Sequence, residues 1–349
     1  MSRRFSVALI SALVLGGGLY GCGGGDGSDP STSATTSTTT PGQVENVDLR
    51  KAGAAEVKID GDWLVGTDDA VWLSAGPEFD RLDPKTGKRT GGVSVPGGLC
   101  LDPVYEYGAL YSATCYSEEG LVRIDPQKLE VTDSVRLPVT DFYNQEGTID
   151  AGEGAVWVII DGKGCEACVL VGLDPQTLSR THEIDLDPGA QSVAVGNGFV
   201  WVTNSHRNVV LRIDPRTDEV LGETKVDGLP SYLAVDSNGV WVLTQLDGTV
   251  TQLDPQTGQV IKTIEADMAG NGGSMTVGAG SVWVRGALTL LKQIDSATGE
   301  ILSQYGPNEG SGDALVRDGV LWVSAFSAGH TAGPSSGGIV YRLPLSQVN

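Results

Sequence analysis

The chain has 349 residues, of which 40% are hydrophobic, 19% charged and 49 glycine. Its formal charge of −21 repels phosphate backbones and anionic lipid surfaces, which excludes nucleic-acid binding and electrostatic docking on a membrane. The length allows one large or two ordinary domains, and the glycine content suits a repeat fold with several tight turns per unit.

The first segment, MSRRFSVALISALVLGGGLYGC, has a basic start at Arg3 and Arg4, an apolar run from Phe5 to Tyr20, and then Cys22. The run is short for a spanning helix and reads as an export signal. Leu19-Tyr20-Gly21-Cys22 resembles the lipobox of bacterial lipoproteins. That resemblance implies cleavage before Cys22, diacylglycerol on its sulfur, and a mature chain anchored on the extracytoplasmic face of the cell membrane. Loss of Arg3 and Arg4 takes the charge from −21 to −23. Residues 22–45 are rich in Gly, Ser and Thr, bury nothing, and read as a disordered tether. Flexible-chain scaling gives such a tether a reach of about 25–30 Å.

Residues 46–349 are periodic. In GNGFVWVTNSHRNVVLRIDPRTDEVLGETKVDG, from Gly196 to Gly228, FVWVTN, VVLRID and EVLGETKV read as strands, and SVAV (Ser192–Val195) precedes them as a fourth. Asn197-Gly198 supplies the positive φ values of a hairpin turn, and Asp214-Pro215 ends the third strand of the four. The hydrophobic-Trp pair recurs at Trp72, Trp157, Trp201, Trp241, Trp283 and Trp322, with Tyr111 in the same role between the first two. The intervals are 39, 46, 44, 40, 42 and 39 residues. Four antiparallel strands at a period near 40 define an all-β fold, a seven-bladed β-propeller of four-stranded blades. The tryptophans read as packing between blades.

The end of the third strand also recurs, as LDPKTGK, IDPQKLE, LDPQTLS, IDPRTDE, LDPQTGQ and IDSATGE. Aspartate caps the turn, proline sets φ, and Gly87, Gly258 or Gly299 takes the left-handed position, so these aspartates serve the turn and not a metal. The seventh unit stops after GGIVYRLPL, one strand short, while EVKIDGDWLVG from Glu56 matches an outer strand with no blade before it. The two gaps fit, so an N-terminal strand is expected to complete blade seven and close the ring.

One face of such a ring carries the uniform turns. The other carries the loops after the Trp strand and the joins between blades, and these vary. Trp-to-Asp distances, with Tyr111 standing in for blade two, run 11, 14, 17, 13, 13 and 12 residues. SAFSAGHTAGPSSGG is inserted in blade seven and LPVTDFYNQEGTID precedes blade three. Function concentrates on loops that differ. The candidate ligand-binding residues there are Tyr143, Glu146, Asn204, His206, Arg207, Gln245, Arg285 and His330. The three histidines lack ligand spacing, so neither a metal nor a cofactor is expected.

Four cysteines follow Cys22. In an oxidising compartment, Cys100, Cys115, Cys165 and Cys168 suggest two disulfides. Counting outward from Tyr107-Gly108 places Cys100 opposite Cys115. Cys165-Glu166-Ala167-Cys168 reads first as a loop staple, with a redox pair or half a metal site as alternatives, and a cross-blade pairing of Cys115 with Cys165 stays open.

Repeats of the form GNGFVWVTN…IDPRTDEV resemble the YVTN-type propellers and the streptogramin (virginiamycin B) lyase superfamily over about Glu56 to Leu345. The lyase resemblance implies a histidine in an inter-blade loop and further His and Glu residues around magnesium. The joins here, PGGLCLD, NQEGTIDAG, PGAQSVAVG, GLPSYLAVD, NGGSMTVG and GSGDALVRD, contain no histidine, and a lyase needs a base. The expected function is therefore a non-enzymatic binding or scaffold module for a protein, peptide or glycan, held at the membrane by its lipid anchor alone and monomeric. The alternative is a metal-assisted lyase or hydrolase.

Overall fold

The computed structural model describes residues 44–99, 102–114, 120–137, 147–161, 168–270, 272–286, 290–306, 312–325 and 338–348. Among these residues, 29 strands form seven sheets, each built on four antiparallel strands. Blade four is the pattern for the rest, with strands Ala190–Gly196, Phe199–Asn204, Val209–Asp214 and Glu219–Lys225 from inside to outside. The innermost strands of the seven blades are Leu64–Gly66, Val104–Glu106, Ile149–Gly152, Ala190–Gly196, Pro230–Asp236, Gly273–Gly278 and Ala314–Arg317. Each lies against the next, and the last lies against the first, so the ring is closed.

Closure uses the N-terminal strand. Strand β1 covers Asn46–Val47 and strand β2 covers Ala55–Lys58. β2 is the outermost strand of blade seven, antiparallel to Ile339–Pro344, with Val57 opposite Val340. β1 was not foreseen. It adds in parallel to the outer strand of blade six, Ile301–Tyr305, as a fifth strand, pairing Asn46 with Gln304 and Val47 with Tyr305. Between the two, Leu49 is buried with Tyr305 and Tyr341, and Arg50 lies over the Tyr341 ring at 5.1 Å while pairing with Asp48 and Glu56. Residues 46–58 therefore strap blade six to blade seven.

The aromatic of each second strand is the wedge between sheets. Trp72, Trp157, Trp201, Trp241, Trp283, Trp322 and Tyr111 are all essentially inaccessible to solvent. Strand register puts a long polar side chain opposite nearly every one. Arg81, Arg123, Arg212 and Arg342 face Trp72, Tyr111, Trp201 and Trp322, and Gln252 and Gln293 face Trp241 and Trp283. Blade three departs, with Gly172 opposite Trp157. There the His182 ring fills the space, 4.9 Å from the indole, and a methyl group on Gly172 would meet His182 Cδ2 at 2.8 Å.

The uniform turns bind neighbouring blades as well as reversing the chain. In blades one, three, five and six the aspartate Oδ1 accepts two backbone N–H groups and a threonine hydroxyl, as in Asp254 with Gln256 N, Thr257 N and Thr257 Oγ1. The preceding blade then reaches over. Arg342 donates to Pro84 O and Lys85 O, Tyr111 and Arg123 to Pro175 O, Thr224 to Gly258 O, and Lys262 to Ala297 O. His182 Nδ1 meets Asp218 Oδ1 at 2.7 Å in the same place between blades three and four. One turn geometry gives blades one, three, four, five and six a similar landing point for the blade before.

A chain beginning at Gly61 would lose β1, β2 and Leu49 together, leaving blade seven with an open edge. Leu49→Ala alone is expected to cost about 2–5 kcal/mol, and the truncation more, read as a fall in Tm on thermal unfolding. An unchanged Tm for the truncated chain would remove the closure role.

Candidate functional site

The innermost strands of the blades enclose a central cavity on the axis of the ring. It has a volume of about 340 Å³ and is lined from all seven blades. Apolar residues such as Leu64, Val193, Leu233 and Leu315 alternate with Asp102, Asp150, Ser274, Thr276 and Asp313. Asp150 and Asp313, in the joins NQEGTIDAG and GSGDALVRD, are not among the residues predicted from the sequence. Their signal was available: a carboxylate at the start of an inner strand has to face the axis or a neighbouring strand.

These two do both. Asp150 Oδ1 accepts Ala151 N at 2.8 Å, and Oδ2 accepts Val195 N of blade four at 2.7 Å. Asp313 Oδ1 accepts Ala314 N at 2.7 Å, and Oδ2 accepts Leu64 N of blade one at 3.0 Å, across the ring's seam. Ser324 completes that seam, donating Oγ to Asp62 O at 2.5 Å while accepting Asp313 N at 2.7 Å. Burial pushes both carboxyls up to about 6, against the pull of the N–H groups they accept. The protein around the cavity keeps bulk water from solvating the charge. The turn aspartates on the opposite face behave in reverse: hydrogen bonds hold Asp83, Asp125, Asp174, Asp214, Asp254 and Asp295 below the ordinary value.

The predicted variable-face residues fall into distinct positions. Asn204 is fully buried and staples its loop to the join before it, donating Nδ2 to Asp187 O and Pro188 O at 3.2 and 3.1 Å. Its Oδ1 accepts Arg207 N at 2.9 Å. Arg207 is exposed and bridges Asp187 and Glu223 at 2.7 and 2.5 Å. His206 is exposed and lies across Gly189, whose φ of +93° and lack of a side chain let the ring close down. Thus Asn204, His206 and Arg207 form one cluster at the blade-four loop. Gln245 is nearly buried in the next loop, with Nε2 on Gly272 O at 3.3 Å. Arg285 is fully buried and spans two blades, donating to Leu290 O and Ser324 O, both at 3.0 Å. Only His206 and Arg207 of these five present a charged or ionisable group to solvent. Tyr143, Glu146 and His330 lie outside the described residues, as do Cys22, Cys100, Cys115 and Cys165. Cys168 is disulfide-bonded, so its partner is a cysteine outside the described residues. The hairpin pairs Glu106 with Ala109 as counted from the sequence, but Leu99 bridges to Thr114, two residues off that register, so the count does not carry outward to Leu99.

Fold and site together define a β-propeller with a polar-lined axial cavity. No protein-family model and no curated protein sequence matches the chain. Among solved structures, it is similar to BamB from Moraxella catarrhalis, with a TM-score of 0.57 and 11% identity over 82% of this chain and 98% of that one. It is likewise similar to Ika8, a computationally designed protein, with a TM-score of 0.57 and 14% identity over 80% of this chain and 81% of that one. At such identities the likeness is one of fold.

The two groups of aspartates set opposite pH limbs. Asp150 and Asp313 bind protons in the native state at pH values where the unfolded chain, near 3.9, has released them, so their stabilisation is complete below about pH 4 and is lost as pH rises through about 6. The turn aspartates contribute above the unfolded value and lose that contribution as pH falls through their lowered ones. Thermal unfolding at constant ionic strength should therefore show its highest Tm at mildly acidic pH, and Asp150→Asn with Asp313→Asn should flatten the decline between about pH 4 and pH 6. A decline of undiminished slope in the double variant would assign it to other groups.

Proposed function

We propose that this protein is a binding or scaffold propeller, anchored by lipid on Cys22 at the extracytoplasmic face of the cell membrane, which holds a protein, peptide or glycan on its variable face. The observation that carries this reading is the axial cavity together with the hydrogen bonds that fix its surroundings among the described residues. Asn204, Gln245 and the seam around Ser324 lock the loops by hydrogen bonds to backbone, so a ligand meets a surface whose ordering entropy is already spent. The carboxylates nearest the axis hold neighbouring strands together, which suits a rigid receptor. His206 and Arg207 stand exposed in the blade-four loop and supply hydrogen-bond donors to an acidic or polar group. The fold likeness to BamB is compatible with this and decides nothing about the ligand.

Two measurements test the proposal. Cys22→Ser should move the protein from the membrane to the soluble fraction of cells. Capture from intact envelopes with the lipidated protein should recover a partner whose yield falls about tenfold in His206→Ala/Arg207→Ala, the loss of roughly two good polar contacts. Recovery of nothing above background would count against the scaffold reading. Stoichiometric magnesium or zinc that disappears in His206→Ala/His330→Ala would favour a metal-assisted lyase or hydrolase instead.

A further inference from the structure

The outer strands break the ring's symmetry at one position. In blades one to six the pairing of the third and fourth strands slips by one residue at the same place, leaving an extra residue on the outer strand. Those residues are Thr90, Thr132 and Thr181 in blades one to three, and Leu221, Ile261 and Leu302 in blades four to six.

The threonines serve the fold. Each donates its hydroxyl back across the bulge, to Arg81 O, Arg123 O and Gly172 O at 3.2, 3.3 and 3.1 Å. Two also accept the arginine that covers the blade's aromatic, Arg81 Nη1 at 2.9 Å and Arg123 Nη1 at 2.8 Å. The apolar set does the reverse. Leu221, Ile261 and Leu302 are 43%, 49% and 39% exposed, and Val220 and Val260 beside them are exposed as well. Arg212 Nη1, the counterpart of the two satisfied arginines, has no partner, and neither has Gln252 Oε1 in blade five, although both are shielded from water. Leaving shielded polar atoms unpaired while methyl groups face solvent is unfavourable twice over. The fold itself would be served better by threonine.

These three positions form one sector. Thr224 of blade four touches Gly258 at the foot of blade five's outer strand, and Lys262 and Ile264 of blade five pack at Gly299, at the foot of blade six's. The charges around the sector narrow its occupant. Glu219, Glu265 and Glu300 are exposed, and none of them makes an ion pair among the described residues, whereas Lys225 and Lys262 donate to Arg207 O and Ala297 O. A second copy would bring the same acidic charge, and an anionic membrane would be repelled. We infer that the outer rim of blades four to six is a docking surface for a partner protein that presents an apolar strip bordered by lysine or arginine. This surface is separate from the variable face, so the protein has two places to bind.

The test is the residue that blades one to three already use. Leu221→Thr/Ile261→Thr/Leu302→Thr should leave Tm unchanged or raise it, since Arg212 gains an acceptor. With a synthetic amphipathic Leu/Lys peptide as probe, the full-length wild-type protein should bind, and the triple variant about tenfold more weakly or less. Leu221→Glu/Ile261→Glu separates the contributions, because added negative charge strengthens a purely electrostatic association and abolishes an apolar one. Equal binding of the peptide by the wild type and the threonine variant, or tighter binding by the glutamate variant, overturns the proposal. So does a clear drop in Tm of the threonine variant, which would make the three side chains structural. A wild-type dimer in sedimentation, or binding to zwitterionic phosphatidylcholine vesicles, that the threonine substitutions abolish would overturn it in favour of a second copy or a lipid surface.

Discussion

A ring of sheets has one constraint that no single blade can satisfy: the last must meet the first. Here the meeting is made by hydrogen bonds between Ala55–Lys58 and the strand of blade seven that begins at Ile339. Around it sit the contacts that cross the same seam, Asp313 to Leu64 N and Ser324 to Asp62 O. Arg285, buried in blade six, fixes Ser324 from the other side. The packing of seven aromatic wedges and the axial cavity both presuppose that this circuit is complete. A propeller with an open seam would present an unpaired strand edge along blade seven.

Uniformity and variation have separate physical causes in this molecule. The Asp-Pro turn is uniform because one geometry does two things, ending the third strand and offering carbonyls to the blade behind. The wedge is uniform because a large aromatic fits the space between twisted sheets. Where one component changes, another compensates, as when Gly172 removes the side chain facing Trp157 and His182 moves into the gap. Compensation of that kind marks a fold requirement. The leucine and isoleucine bulges of blades four to six lack it, and they leave Arg212 and Gln252 short of partners. Polar atoms left in that condition point to a demand from outside the fold.

Much of the architecture was legible from residues alone. The strands from Phe199 to Lys225, the period near 40 and the missing outer strand of blade seven follow from alternation, turn chemistry and counting, which are local or periodic signals. β1 was not legible, because two residues carry no alternation and its parallel pairing depends on where Leu49 can be buried. The variable face was harder. Asn204, Gln245 and Arg285 have the side chains of ligand-binding residues, and sequence does not reveal that their hydrogen bonds go to loop backbone and to a neighbouring blade. Asp150 and Asp313 carry only a local signal, a carboxylate at the start of an inner strand, and their place on the axis depends on all seven blades together. Bulge residues escape sequence reading too: Thr90 and Leu221 become equivalent only once the strand register is known.

The strap has a consequence for the order in which the molecule is made. β2 is among the first of the described residues to emerge from a ribosome, yet its partner at Ile339–Pro344 is among the last. Apart from β1, whose partner is the outer strand of blade six, every other strand finds a neighbour within its own blade soon after it appears, and contacts of such long sequence separation form late. Until then Val57 of β2 lacks its cross-strand partner Val340. The molecule is thus a spiral of nearly finished blades until its final strand arrives, and completion is a single joining event between its two ends.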